Sequence, residues 1–150
     1  MKSKVYLTKD TVLKLDIDQY QELCQNLLNV TKSNLEDELV HHSILYAHYH
    51  GLLIYVKRIM DKMTIDFDQY CAKTKNDELA RNKSSGSKAT ATYLEDYLKT
   101  QPEYTESRND LLEIEEIYGW LKALCFSLEH KKDMLVQLSA NQRSETKLYS

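Results

Sequence analysis

Glycine and proline are almost missing from this chain, with three and one in 150 residues. So little turn-forming material leaves no basis for a series of tight hairpins or for a Gly-rich phosphate loop. Cysteine is scarce as well. Cys24, Cys71 and Cys125 are far apart, odd in number and form no CxxC pair, which excludes a disulfide framework and suits a reducing compartment. No apolar run approaches the roughly 20 residues of a membrane span. Met1-Lys2-Ser3-Lys4 is not followed by a signal-peptide core, so the expectation is a soluble protein in the cytoplasm with no membrane partner. Charge of one sign is lacking too: 20 basic and 23 acidic residues give a formal −3, which does not by itself advertise a nucleic-acid binder.

What remains is helix-forming material, 42% hydrophobic and 29% charged. The organising stretch is 33–82. Leu39, His42, Tyr46, Tyr49, Leu53, Val56, Met60, Met63, Phe67 and Tyr70 recur at alternating steps of three and four, the a/d pattern of a heptad repeat. Leu45, Leu52 and Ile59 widen the stripe, which places this helix inside a bundle rather than a two-stranded seam. Ser33 and Glu36 have capping-box spacing for its start. Ahead of it, 1–32 reads as an accessory segment: an irregular or extended start, then a helix over about 18–29 with Asp18 as its cap.

Asn82-Lys83-Ser84-Ser85-Gly86-Ser87-Lys88 is the loop-like composition in the chain, and 83–88 reads as a basic linker between two halves. A short helix over about 89–99 follows. Pro102 fits the first turn of a last long helix running to about 145. Its stripe is Leu111, Ile114, Ile117, Leu121, Leu124, Leu128, Leu135 and Leu138, interrupted by Lys131, whose long side chain can snorkel to water. The fold class is therefore all-α: one domain of two long helices in an antiparallel hairpin with short accessory helices. Both long helices carry more apolar surface than one partner covers, which predicts a homo-oligomer larger than a dimer. Its expected core is Tyr46, Leu53, Met60, Phe67, Leu121 and Leu128.

No catalytic constellation stands out, and the reading is a non-enzyme. The histidines at 41, 42, 48 and 50 crowd together, but none stands three or four from another, and Glu38-x-x-His41 occurs once; no metal or cofactor is expected. Charge is unevenly placed. Over 71–90 five bases face two acids, a net +3; over 91–118 eight acids face two bases, a net −6. Aromatic residues beside bases, as in Tyr55-Val56-Lys57-Arg58 and Tyr70-Cys71-Ala72-Lys73-Thr74-Lys75, have the texture of single-strand nucleic-acid contacts. The same tyrosines also serve as packing residues in a bundle.

A long helix, a basic Ser/Gly link, a shorter helix and a long C-terminal helix resemble the phage recombination mediators of the UvsY type. The resemblance covers about 100 residues. It is carried by Leu79-Ala80-Arg81-Asn82-Lys83-Ser84-Ser85-Gly86, by Tyr118-Gly119-Trp120-Leu121-Lys122-Ala123-Leu124-Cys125 and by His130-Lys131-Lys132-Asp133-Met134-Leu135. It implies an oligomeric ring in a phage-infected bacterial host that binds single-stranded DNA, contacts the single-strand-binding protein and loads a RecA-like recombinase. The family's DNA-contacting run is Lys-Ala-Arg-Leu; Ala80-Arg81 matches it, with Leu79 at the lysine position. Arg81 carries over, and the charge count adds Lys57, Arg58, Lys73, Lys75, Lys83 and Lys88 as DNA-binding candidates. Glu113, Glu115 and Glu116 in the acidic band are the candidates for protein contact. The other reading is a non-enzymatic coiled-coil adaptor or structural protein, of virion-assembly or inhibitory type, acting through protein contacts alone.

Overall fold

The computed structural model describes residues 3–149, and among them every regular element is helical. In chain order these are α1 (Lys9–Val12), α2 (Ile17–Leu28), a 3-10 turn (Lys32–Asn34), α3 (Leu35–Ser84), α4 (Ala91–Lys99) and α5 (Pro102–Tyr149). The chain divides into two compact units. The first comprises residues 1–56 and 117–150, the second 57–116. The boundary crosses both long helices, and the 83–88 link lies within the second unit, between α3 and α4.

Helix starts differ from expectation for local reasons. α2 is capped by Asp16, not Asp18. Asp16 Oδ1 accepts from the Gln19 amide at 2.8 Å while Gln19 Oε1 accepts from the Asp16 amide at 3.2 Å, a reciprocal pair that Asp18 lacks. At α3, Ser33 does not form the expected box. Its hydroxyl bonds Thr31 Oγ1 at 2.9 Å, and Asn34 Oδ1 accepts from the Thr31 amide at 2.7 Å, so a 3-10 turn precedes the helix. α3 then ends two residues beyond 82. Ser87 N–H donates to Asn82 O and Gly86 N–H to Lys83 O, with Gly86 at φ +80. This is a Schellman stop, and its left-handed position suits glycine.

In the first unit, α3 and α5 pack antiparallel: Glu38 meets Lys131, and two turns on Tyr46 meets Glu129. The buried positions of α3 are Leu35, Glu38, His42, Leu45, Tyr49, Leu52 and Val56. This is a heptad seam, but its centre is one residue away from the expected one. Leu45 and Leu52 are buried where Tyr46 and Leu53 were placed, and the latter two are half-buried. The displacement follows from a neighbour the periodicity could not reveal. α1 and α2 lie against α3 and α5, through Lys9 on Tyr55 and the Leu27 carbonyl on Lys131, and Val12, Leu15, Leu23 and Leu27 are buried. The N-terminal segment is strapped down by Tyr49, whose hydroxyl donates to Val5 O at 2.6 Å and accepts from Leu7 N at 3.3 Å. Tyr20 of α2 stacks on Trp120 of α5 with ring centroids 5.7 Å apart.

Leu121 and Leu128, expected at an oligomer core, have no exposed surface and lie in this intramolecular core with Leu124 and Leu135. Within one chain they are already covered on all sides. Lys131 does not snorkel: it is 3% exposed and lies on the seam, because a carboxylate waits for it across the interface.

The second unit is thinner. Its buried apolar residues are Leu98, Leu111 and Ile114, and the α3 positions Met60, Met63, Phe67 and Tyr70 are only half-covered. Phe67 packs on Tyr104 with centroids 5.4 Å apart. α4 returns antiparallel to α3, pairing Glu95 with Lys75 and Tyr93 with Glu78.

Candidate nucleic-acid interface

An α-helix turns about 100° per residue, so α3, unbroken from Leu35 to Ser84, lets outward positions be placed by phase. Arg58, Lys62, Ile65, Gln69, Lys73, Asn76, Ala80 and Lys83 recur at steps of three and four on one face. All eight are exposed. They form a stripe about 38 Å long, at 1.5 Å rise per residue, with four cations and no carboxylate. Arg58, Lys62, Lys73 and Lys83 have no ion-pair partner among the described residues, whereas Lys57, Lys75, Arg81 and Arg108 of this unit are each paired with a carboxylate.

Of the other candidates, Lys57, Lys75 and Arg81 are in that second group. Lys57 Nζ lies 2.9 Å from Asp61 one turn on. Lys75 is held by Glu95 of α4. Arg81, the residue carried over from the resemblance, clamps Glu78 in a forked pair, Nε to Oε2 at 2.8 Å and Nη2 to Oε1 at 2.6 Å. Glu78 is 2% exposed and also accepts from Tyr93 Oη at 2.7 Å and Asn82 Nδ2 at 3.1 Å. The Arg81 guanidinium and then the Tyr93 hydroxyl hold its carboxyl down to about 2, and Glu78 in turn raises the pKa of Arg81. Arg81 therefore stands in a neutral, hydrogen-bonded lock that docks α4 on α3. Lys88 is exposed in the link after Gly86.

The aromatic half of the expectation is weaker. Tyr55 is half-buried and carries the Lys9 ammonium 5.0 Å above its ring, and Tyr70 is half-buried. Lys62 was missed, although its place four residues after Arg58 was readable. On α5, Glu106, Asp110 and Glu113 share one exposed face with Glu116 at its edge, while Glu115 turns away toward Arg108, 3.8 Å distant. The second unit thus carries a cationic stripe on α3 and an acidic one on α5.

A buried charge cluster in the first unit was not foreseen. Lys131 Nζ donates to Glu38 Oε2 and to Leu27 O, both at 2.5 Å; Lys4 Nζ reaches Glu38 Oε1 at 2.5 Å. Burial pushes the Glu38 carboxyl up, but the hydrogen bonds from Lys131 and Lys4 outweigh it and the net shift is downward. Burial lowers Lys131, against the pull of Glu38. His42 is 6% exposed with neither ring nitrogen hydrogen-bonded among the described residues, and burial and then the Lys131 charge lower its pKa. An isolated carboxylate here would be costly, and these bonds balance it.

Other chemistry is sparse. A cleft of about 1150 Å³ lies beside α2 and is lined by side chains such as Thr11, Gln19, Asn26 and Asn34, with no histidine or cysteine. The three thiols are unbridged, and burial pushes Cys125 up to about 11, far from a thiolate at neutral pH. Among the described residues no three His, Cys, Asp or Glu side chains converge to hold a metal ion, and no helix is long and apolar enough to cross a membrane. Comparison with family models, curated proteins and solved structures finds no match to this chain.

Proposed function

We propose that this chain is a non-enzymatic mediator that holds single-stranded DNA along the outward face of α3 and works as a homo-oligomer in the cytoplasm of a phage-infected bacterium. The observation that carries the reading is the run of unpaired cations on one helix face with no carboxylate among them, since sequence-independent affinity comes from phosphate neutralisation. The resemblance to UvsY-type mediators supports it and suggests the roles of the partners: a RecA-like recombinase to be loaded, and a single-strand-binding protein to be contacted. Phosphate contacts fall to Lys73, Lys83 and Lys88, with Arg58 and Lys62 extending the track. The acidic face of Glu106, Asp110, Glu113 and Glu116 is left for a basic protein surface.

The test is a titration with a labelled single-stranded oligonucleotide at several salt concentrations. Each phosphate contact on a single strand contributes about −0.7 to the log–log salt slope. Changing Lys73, Lys83 and Lys88 together to Ala should weaken binding and flatten that slope by about 2, with helix content unchanged. A wild type that does not bind below physiological salt ends this reading. The acidic stripe then favours the second one, a coiled-coil adaptor working through protein contacts only.

A further inference from the structure

The outer face of α3 continues N-terminally from the cationic stripe and changes character. Val40, Ile44, Ala47, Gly51 and Ile54 follow the same steps of three and four, and all five are exposed among the described residues. Val40 is 69% exposed, Ile44 62% and Ile54 65%, and a Cβ added at Gly51 would meet nothing within 4 Å. These are large β-branched side chains facing outward on either side of two small ones, in a stretch of helix whose opposite face, Leu35 to Val56, is buried. A contiguous exposed apolar patch rimmed by charge marks an interaction site. Small residues at its centre let a second helix approach closely.

The charges at its two ends identify the partner. Glu36 and Asp37 lie at the N-terminal end of this face and Arg58 and Lys62 at the C-terminal end. None of the four has an ion-pair partner among the described residues. Asp61, beside the cations, is already paired with Lys57. The whole set lies within about 100° of helix arc.

We propose that this face is a two-fold contact with a second copy of the chain, the two α3 helices running antiparallel and crossing beside Ala47 and Gly51. One register brings acid near base at both ends of the face, with Asp37 falling level with Asp61, which Lys57 already neutralises. Laying Ala47 on Gly51 of the second copy places Ile44 on Ile54, Val40 beside Arg58 and Glu36 on Lys62, with Asp37 one turn from Arg58. Each pairing occurs twice, as an isologous interface requires. A parallel pair would set acid against acid and base against base, which is unfavourable. The contact takes Arg58 and Lys62 out of the phosphate track and leaves Lys73, Lys83 and Lys88 uncovered by these pairings.

The experiment is a charge exchange read by light scattering at micromolar concentration, with circular dichroism to check folding. E36K/D37K and R58E/K62E should each lower the wild-type assembly mass by half or more. Mixing the two variants one to one should restore it, because only the mixed pair meets acid with base at both ends. Should either charge variant lose helix content, I44S/I54S gives the same loss of mass without moving a charge. The triple alanine variant at Lys73, Lys83 and Lys88 should keep the wild-type mass, so the two readings fail separately. A monomeric wild type, single variants that stay assembled, or a mixture that stays dissociated would each overturn the proposal.

Discussion

Lys131 and Glu38 meet at 2.5 Å in the core of the first unit, each almost without solvent contact, at positions where both helical seams call for an apolar side chain. Removing one partner strands the other charge. Glu38→Gln should cost about 3–5 kcal/mol, whereas Glu38→Leu combined with Lys131→Met should cost far less, because the one charge left without its carboxylate, Lys4, is partly exposed and keeps the Asn26 and Asn29 carbonyls. Urea unfolding of the three proteins checks this. A double variant as unstable as the single one would show that the pair stabilises the fold outright.

The same cluster sets a pH dependence. Glu38 and His42 both have folded pKa values below their ordinary ones, so the unfolded chain binds these protons more tightly and stability rises with pH. The contribution of neutral His42 is complete above 6.5 and is lost as pH falls toward its lowered value. That of Glu38 is complete above 4.5 and goes as pH drops through its own. Lys131 is lowered too, so the burden of keeping it charged eases as pH rises through its folded pKa. The urea midpoint should fall between pH 7.5 and 5 and fall again below 4.5. His42→Leu should flatten the first step; an identical first step in that variant would remove His42 from the account.

Leu121 and Leu128 act within one chain. Either residue changed to Ala should cost about 2–5 kcal/mol in stability and leave the assembly mass of the folded protein unchanged. A folded Leu128→Ala that dissociates would return this residue to an interface between copies.

The second unit should be the looser one. With Leu98, Leu111 and Ile114 as its buried apolar residues, it has little to hold α4 beyond Leu98, the exposed Lys75–Glu95 pair and the Glu78 lock. Hydrogen exchange should be faster over 91–99 than over α2, and Glu78→Ala should speed it further by releasing Tyr93 and Arg81 together. Equal protection of α2 and α4 would contradict this.

Much of this architecture was legible. Scarce glycine and proline and the heptad spacing give two long helices and the break at Gly86, because local propensity and periodicity act within a few turns. The seam position was off by one residue, since Leu45 and Tyr46 can both bury a largely apolar body and the choice between them goes with α1 and α2, which precede α3 in the chain. Lys131 read as a snorkelling residue because its partners, Glu38 and the Leu27 carbonyl, come from distant sequence. The cationic face was half-legible: counting charge over 71–90 finds the right region, but only the placement of Asp61, Glu78 and Glu95 shows which cations are already neutralised.

That distinction yields the last prediction. Arg81 sits in the run that matches the mediator family, yet its guanidinium is committed to a buried carboxylate, while Lys73 and Lys83 are exposed and form no ion pair among the described residues. A phosphate approaching Arg81 would have to compete with Glu78, which two further donors hold in place. Arg81→Ala should therefore change the salt slope of single-stranded DNA binding little and raise hydrogen exchange in α4, while Lys83→Ala should flatten the slope by about 0.7 and leave α4 protection as it is. If Arg81→Ala flattens the slope as much as Lys83→Ala does, DNA draws Arg81 away from Glu78, and the lock is a feature of the unbound protein alone.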